Sequence, residues 1–597
     1  MSMNKNIARL AVTAGLTAAL SFGGVMAPVT MAFAEGATTT TNSIKIKGNE
    51  SNTFKAYQIF KATVTDTGSG KTAQDITWAV DAQAQKDIVK IIRDSDGYSM
   101  SNSQLPAVNT ETGEDPATPQ NVADWLSANV QNKTTASAND NKGTRVAPGD
   151  VLYLIAKAVI NDENAVGDSF KAGDSWTRPD AAGDGYYLFV SDGLTDQAKP
   201  NTGTSPIFAI VGGSPVTVTE KTSIPTVEKK ILDDTADKDA TNAKEDDWKN
   251  SGDAWIGQDI DYRLTGHVAD NIASYDTYYY EFHDTLSKGL KVVKKSDGSL
   301  NGLHVYIVNN GTKNEVKFDK ANGYDVAVTD GATTGTELLK VSFDNLKAVQ
   351  STKGNKISVD AASTVVVTYK AQLTSDAEYT AKGNTNEVKL VYSNNPMTND
   401  KGTSESDKVT DYVFGLDVTK TDADPNNANA KLVAGFKVKM IKEGDKEIAD
   451  GGQWLTADGG LTTDVDKAGE FKTETSNKVF IPGLVAGTYE ISETTTPSGY
   501  NTIAPFQITV KPAYDTAGNL TGLTVSDTSN MVDSEKTNAS IDSTKIPVTI
   551  KNKKGSGLPL TGLNGVTFTW IAGGAVLCIG VAHLIRSRKQ AEESEQE

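Results

Sequence analysis

The feature that most restricts this chain is a period of two that recurs along most of its length. Thr364-Val365-Val366-Val367-Thr368-Tyr369, Glu387-Val388-Lys389-Leu390-Val391-Tyr392 and Phe506-Gln507-Ile508-Thr509-Val510 are short, β-branched or alternating runs bounded by turn residues. Such runs are strands, and many of them without helical patterns between them build sandwiches. A few helical insertions are expected, for example near Asp81 to Arg93 and Asn121 to Asn129. The sandwiches cannot be stapled by cystine, because the 597 residues include a single cysteine, Cys578. That count also excludes a Cys-based zinc site. The four histidines (His267, His283, His304 and His583) lie far apart, so neither a metal nor a cofactor site is expected. Asp and Glu (76) exceed Lys and Arg (58), and a net charge of −18 repels phosphate backbones, so no nucleic-acid partner is expected.

The two ends place the chain outside the cell. Lys5 and Arg9 precede an apolar stretch from Leu10 to about Val25, and Ala32-Phe33-Ala34 offers a cleavage site between Ala34 and Glu35. Residues 1–34 are therefore expected to be a removed secretory signal. Near the other end, Val566–Ile585 is apolar and long enough to cross about 30 Å of hydrocarbon as a helix. Arg586, Arg588 and Lys589 follow it, which leaves the tail cytoplasmic. Directly before this span stands Leu558-Pro559-Leu560-Thr561-Gly562. Motif, apolar span and basic tail in that order resemble the LPxTG sorting signal of Gram-positive surface proteins. The resemblance implies that a sortase, polymerising or housekeeping, cuts after Thr561 and passes its acyl group to an amine. It also implies localisation at the cell wall, with peptidoglycan as a partner and the membrane span only a transient retention device.

Five segments follow: 1–34 signal peptide, 35–224 first domain, 225–410 second domain, 411–554 third domain and 555–597 sorting signal. The polar stretch from Met397 to Asp411 is read as a link between the last two domains, and Gly555-Ser556-Gly557 as a flexible connector. The fold class expected is all-β, as tandem immunoglobulin-like sandwiches.

Tyr489 to Tyr500 reads YEISETTTPSGY, which resembles the E-box, YxLxETxAPxGY, of CnaB-type domains in Gram-positive pilins. Ile491 and Thr496 are mild departures. Leu416 to Thr421 looks like the opening lysine strand of that family, and Val548 to Lys553 like its closing asparagine strand. The resemblance implies a Lys420–Asn552 isopeptide bond promoted by Glu493. The chemistry is coherent: burial drops a lysine pKa and raises that of a carboxyl. A neutral amine is nucleophilic, and a protonated acid can polarise the amide it attacks.

The second domain resembles the fimbrial isopeptide-forming D2 (CnaA-like) domain. Pro225 to Lys230 matches its lysine strand, Glu281 to Leu286 its Asp-Thr-Leu segment, and Asn384 to Pro396 its asparagine strand. If Val227 points inward so does Lys229, and if Val388 and Leu390 do so does Asn386. Lys229–Asn386 with Asp284 is the favoured set, with Lys230, Asn384 and Asn394 open as alternatives. The first domain, with Phe54 to Phe60 and Gly183 to Val190, resembles pilin N-terminal domains, and no bonding set is assigned to it. The cluster Tyr275, Tyr278, Tyr279 and Tyr280 reads as strand core.

Together these resemblances imply a major pilin that polymerises with identical subunits, stabilised by autocatalytic bonds but otherwise no enzyme. Lys221, just ahead of Lys229, stands where shaft pilins carry an acceptor lysine, although the surrounding YPKN-like pattern is missing. Minor pilins and host surface ligands would be further partners. The other reading is a monomeric wall-anchored adhesin or tip subunit that binds host protein or glycan.

Overall fold

The computed structural model describes residues 42–555 apart from 67–70, 97, 100–103, 131–145, 162–164, 195–199, 221, 233–238 and 533–541. Strands dominate it and form three successive two-sheet units.

In the first unit, Ser43–Lys47 lies between Ser175–Thr177 and Val216–Thr219 in a small sheet. A five-stranded sheet runs in the order Lys71–Trp78, Thr53–Asp66, Gly185–Asp192, Ile207–Val211, with Phe170–Lys171 beside Thr53–Asp66. Gly185–Asp192 is buried on both faces, because the small sheet covers one side and helices the other. The helices are Ala82–Arg93, capped by Asp81, and Pro119–Asn129, started by a Thr118–Asn121 capping box. A third, Val151–Ile160, is a helix that the sequence pattern does not locate. Its sequence VLYLIAKAVI is apolar nearly throughout, so it has the composition of a buried strand; Asp150 at its N-cap position and burial on several sides make it a core helix.

The second unit pairs two larger sheets. One runs Trp248–Lys249, Thr226–Leu232, Asp259–His267, Thr364–Leu373, His304–Asn309, Thr312–Glu315. The other runs Ser251–Asp253, Asp407–Tyr412, Asn384–Ser393, Tyr280–Leu286, Glu337–Phe343, Asp325–Asp330. Alternation sends Val365, Val367, Tyr369 and Ala371 into the core from the first, and Asn386, Val388, Leu390 and Tyr392 from the second. Tyr275, Tyr278 and Tyr280 are buried in this core, with Tyr279 at its margin.

The stretch read as a polar link is instead part of the second unit, and its start packs on the first. Lys401–Thr403 and Asp407–Tyr412 both pair with Asn384–Ser393, and Met397 enters the first unit's core. Lys157 Nζ donates to the Met397 carbonyl at 2.7 Å, and Tyr153 Oη to that of Pro396 at 3.1 Å. Asn394 Nδ2 donates to the Leu194 carbonyl and to Asn201 Oδ1, so two units are joined by buried hydrogen bonds rather than by a tether.

The third unit has a sheet with Phe414–Asp422 between Lys478–Leu484 and Lys545–Asn552. Phe414–Asp422 and Lys545–Asn552, its first and last strands, are parallel and in register from Gly415↔Lys545 to Asp422↔Asn552. The opposing sheet runs Leu461–Thr462, Gln453–Leu455, Gly435–Glu443, Gly487–Thr495, Phe506–Tyr514, Leu520–Asp527. Against the second unit, the Tyr379 ring meets Phe480 edge-on at 4.8 Å, and Gly483 N donates to Tyr379 Oη at 3.1 Å. Gly483 has φ +83°, and a Cβ there would stand 1.9 Å from the Gly459 carbonyl oxygen, so this approach needs glycine.

Candidate functional site

Two fully buried clusters stand out, each with one lysine, one acid and one asparagine. In the second unit, Lys229 faces Leu264 across its own sheet, while Asp284 and Asn386 come from the facing sheet. Asp284 is opposite Val388, two residues from Asn386, which makes the pair diagonal neighbours on one face. Lys229 Nζ reaches across the core to Asp284 Oδ1 at 2.6 Å and Oδ2 at 2.7 Å. All three side chains are 0% exposed. Burial holds the Lys229 ammonium below its ordinary value and the Asp284 carboxyl above its own, each against the attraction of the other's charge.

Two tyrosines complete this cluster. Tyr369 Oη donates to Asp284 Oδ2, accepts from Asn386 Nδ2 at 2.7 Å and lies 3.2 Å from Lys229 Nζ. Its ring stacks on Tyr262 at 5.3 Å, and Tyr262 Oη donates to Asp411 Oδ2. Asn386 Oδ1 is buried without a hydrogen-bond partner. The open alternatives lie elsewhere. Lys230 turns outward to Glu228 and Asn250. Asn384 bonds the backbone at Glu378 and Asp411, and Asn394 sits in the junction with the first unit.

In the third unit, Lys420 and Asn552 come from the parallel first and last strands of one sheet. Lys420 is opposite Ile550, so Asn552 is its diagonal neighbour. Lys420 Nζ contacts Asn552 Oδ1 and lies 3.4 Å from Glu493 Oε1. Asn552 Nδ2 donates to both Glu493 oxygens, at 2.9 and 3.0 Å, and to the Asn501 carbonyl at 3.0 Å. Glu493 arrives from the opposite sheet, where it is paired with Phe436, and also accepts from Ile503 N at 3.0 Å. Burial pulls the Lys420 amine down to about 8, against the pull of the Glu493 charge. Next to the cluster, Tyr500 of the E-box donates to Asp422 at 2.9 Å, tying the loop after Thr495 to the opening strand.

Each cluster can in principle convert a lysine amine and an asparagine carboxamide into a secondary amide and ammonia, with the acid carrying protons. The amine is nucleophilic only when neutral. The Lys420 linking rate should therefore climb about tenfold per pH unit below about 8 and flatten above it. Following the mass lost as ammonia during refolding at several pH values measures this; a rate that falls as pH rises to 8 would refute it. In chain without such an amide, stability has a matching sign. The unfolded chain keeps this proton to the ordinary lysine value, so unlinked chain gains stability as pH rises from about 8 towards 10.5.

The first unit holds such groups apart. Asn52 Nδ2 donates to Glu220 Oε2 at 2.9 Å, whereas the buried Lys71 donates to the Ile210 and Ser214 carbonyls. No group of His, Cys, Asp and Glu suited to a metal occurs among the described residues. Lys221, Ala34, Glu35, the motif Leu558 to Gly562 and the span Val566–Ile585 lie outside the described residues. Among those described, no helix is long and apolar enough to cross a membrane.

Residues 415–521 match the family model of the SpaA prealbumin-like fold domain, which covers the opening strand and the E-box of the third unit. The chain is 26% identical over 335 residues to fimbrial subunit type 2 of Actinomyces naeslundii, covering 52% of this chain and 53% of that protein. It thus spans about half the length of the curated relative it matches. Among solved structures, the backbone pilin of serotype M6 Streptococcus pyogenes aligns at 13% identity and TM-score 0.44, covering 87% of this chain and 99% of that one. The Corynebacterium diphtheriae major pilin SpaA aligns at 13% identity and TM-score 0.40, covering 86% of this chain and 100% of that one.

Proposed function

We propose that this chain is the repeating subunit of a covalently polymerised surface pilus of a Gram-positive bacterium, with each of its last two domains locked by an internal lysine–asparagine amide. The observation that carries this reading is the pair of buried clusters, Lys229–Asp284–Asn386 and Lys420–Glu493–Asn552, standing in tandem in a chain with one cysteine. The partial likeness to a fimbrial subunit and the sorting-type C-terminus support it. In this reading Asp284 and Glu493 promote the internal bonds. A sortase cuts between Thr561 and Gly562, and the Lys221 amine of the next subunit takes the acyl group. Head-to-tail joining is heterologous and open, so it yields a fibre. The housekeeping step transfers the last subunit to peptidoglycan.

The test is a cell-wall extract boiled in SDS and probed for this chain, beside a strain carrying Lys221→Ala. A ladder of high-mass species that collapses to monomer in the variant is expected. A ladder that survives moves the acceptor to another lysine. A monomer in both strains overturns the fibre and leaves a wall-anchored adhesin.

A further inference from the structure

We propose that Tyr369 is a catalytic residue of the second domain's linkage, delivering the proton with which the Asn386 nitrogen departs. The proposal rests on the linking reading above. It comes from a difference in wiring between the two clusters. In the third domain the carboxamide nitrogen of Asn552 bonds directly to both oxygens of the acid. In the second domain a hydroxyl connects the two: Asn386 Nδ2 donates to Tyr369 Oη at 2.7 Å, and Tyr369 Oη donates to Asp284 Oδ2. The same oxygen is 3.2 Å from Lys229 Nζ, so Tyr369 touches every reacting group.

The steps balance without an added reagent. Starting from the neutral amine and carboxyl, Lys229 Nζ attacks Asn386 Cγ and the Nζ–Cγ bond forms. Tyr369 passes its hydroxyl proton to Nδ2 and is reprotonated by Asp284, which takes one proton from Nζ. The Cγ–Nδ2 bond breaks, neutral ammonia leaves, and a secondary amide remains. Burial raises the Tyr369 phenol well above its ordinary value, so it stays protonated until the leaving nitrogen needs it. Stacking on Tyr262 keeps the hydroxyl aimed.

The experiment follows both links in the full chain during refolding, by mass and by the cross-linked peptides. Tyr369→Phe is expected to slow 229–386 linking about 100-fold while 420–552 linking keeps its rate. Tyr392→Phe, which removes an equally buried hydroxyl of the same domain that bonds the Asn201 carbonyl instead, should link at the wild-type rate. Wild-type linking in Tyr369→Phe, or equal slowing in Tyr392→Phe, overturns the proposal. Absence of the 229–386 peptide in the wild type overturns the linking reading itself. Should Tyr369→Phe not fold, replacing all tyrosine by 3-fluorotyrosine, a stronger acid of similar shape, decides. The 229–386 rate must then change and the 420–552 rate stay fixed, since no tyrosine hydroxyl bonds Lys420, Glu493 or Asn552 among the described contacts. Two rates that move together, or neither moving, overturn the relay.

Discussion

Glu493→Gln is expected to leave a folded chain that stays one ammonia heavier than the wild type and melts far below it. Glutamine nearly preserves the shape of the side chain and can still hydrogen-bond Asn552, so packing around Phe436 is kept. What it removes is the group that can take a proton from Lys420 and give one to Asn552. The unmade bond would have closed a loop of 132 positions. By the loop-closure reasoning developed for disulfides, about 4 to 5 kcal/mol is lost. For a domain of this size that is a fall in melting temperature on the order of 15 °C. Calorimetry on the full chain, with intact mass on the same sample, measures both. A variant of wild-type mass would show that Glu493 is dispensable. A heavy variant that melts with the wild type would show that the link carries no stability.

The second large effect concerns the other cluster and separates a covalent link from an ion pair. Lys229→Met removes the nucleophile and leaves the buried Asp284 carboxyl without its counter-charge, with only the Tyr369 hydroxyl donating to it, which costs about 3 to 5 kcal/mol beyond the missing link. Asp284 already titrates above its ordinary value because of burial. The unfolded chain therefore releases that proton first as pH rises, and the single variant loses stability as pH climbs through the folded-state value. Adding Asp284→Leu removes the stranded acid and should recover much of the loss at neutral pH. If only an ion pair held the site, the double variant would equal or exceed the wild type, as apolar replacement of buried pairs often does. The expected order in denaturant melts is wild type, then double, then single. A double variant as stable as the wild type would sink the link in this domain.

Much of the two clusters was legible because strand geometry is a rule with little freedom. The inward alternation of Val388 and Leu390 carries Asn386 with it, and that of Val227 carries Lys229 while Lys230 turns out. Glu493 could be read from its E-box. Tyr369 follows the same alternation, from Val365 through Val367, yet nothing local distinguishes a tyrosine that bonds a buried lysine, acid and asparagine from one that fills a core. Its partners lie on strands distant in sequence. Val151–Ile160 escaped for a related reason: an apolar run buried all round has no face to betray its period. The Met397–Asp411 stretch is polar because its strands lie near a sheet edge and its remaining residues occupy a junction, both of which look like a linker in composition alone.

The parallel pairing of Phe414–Asp422 with Lys545–Asn552 also governs how this domain would meet a pull on its two ends. The chain enters at the start of one strand and leaves at the end of the other, so opposed forces slide the strands along each other. Their ladder is then loaded in shear, with its hydrogen bonds strained together; antiparallel terminal strands would be peeled apart one bond at a time. Lys420 and Asn552 lie near the far end of that ladder, where an amide between them would stop the sliding before it began. Tension would pass from strand to strand through that one bond, and the sandwich between would carry none of it.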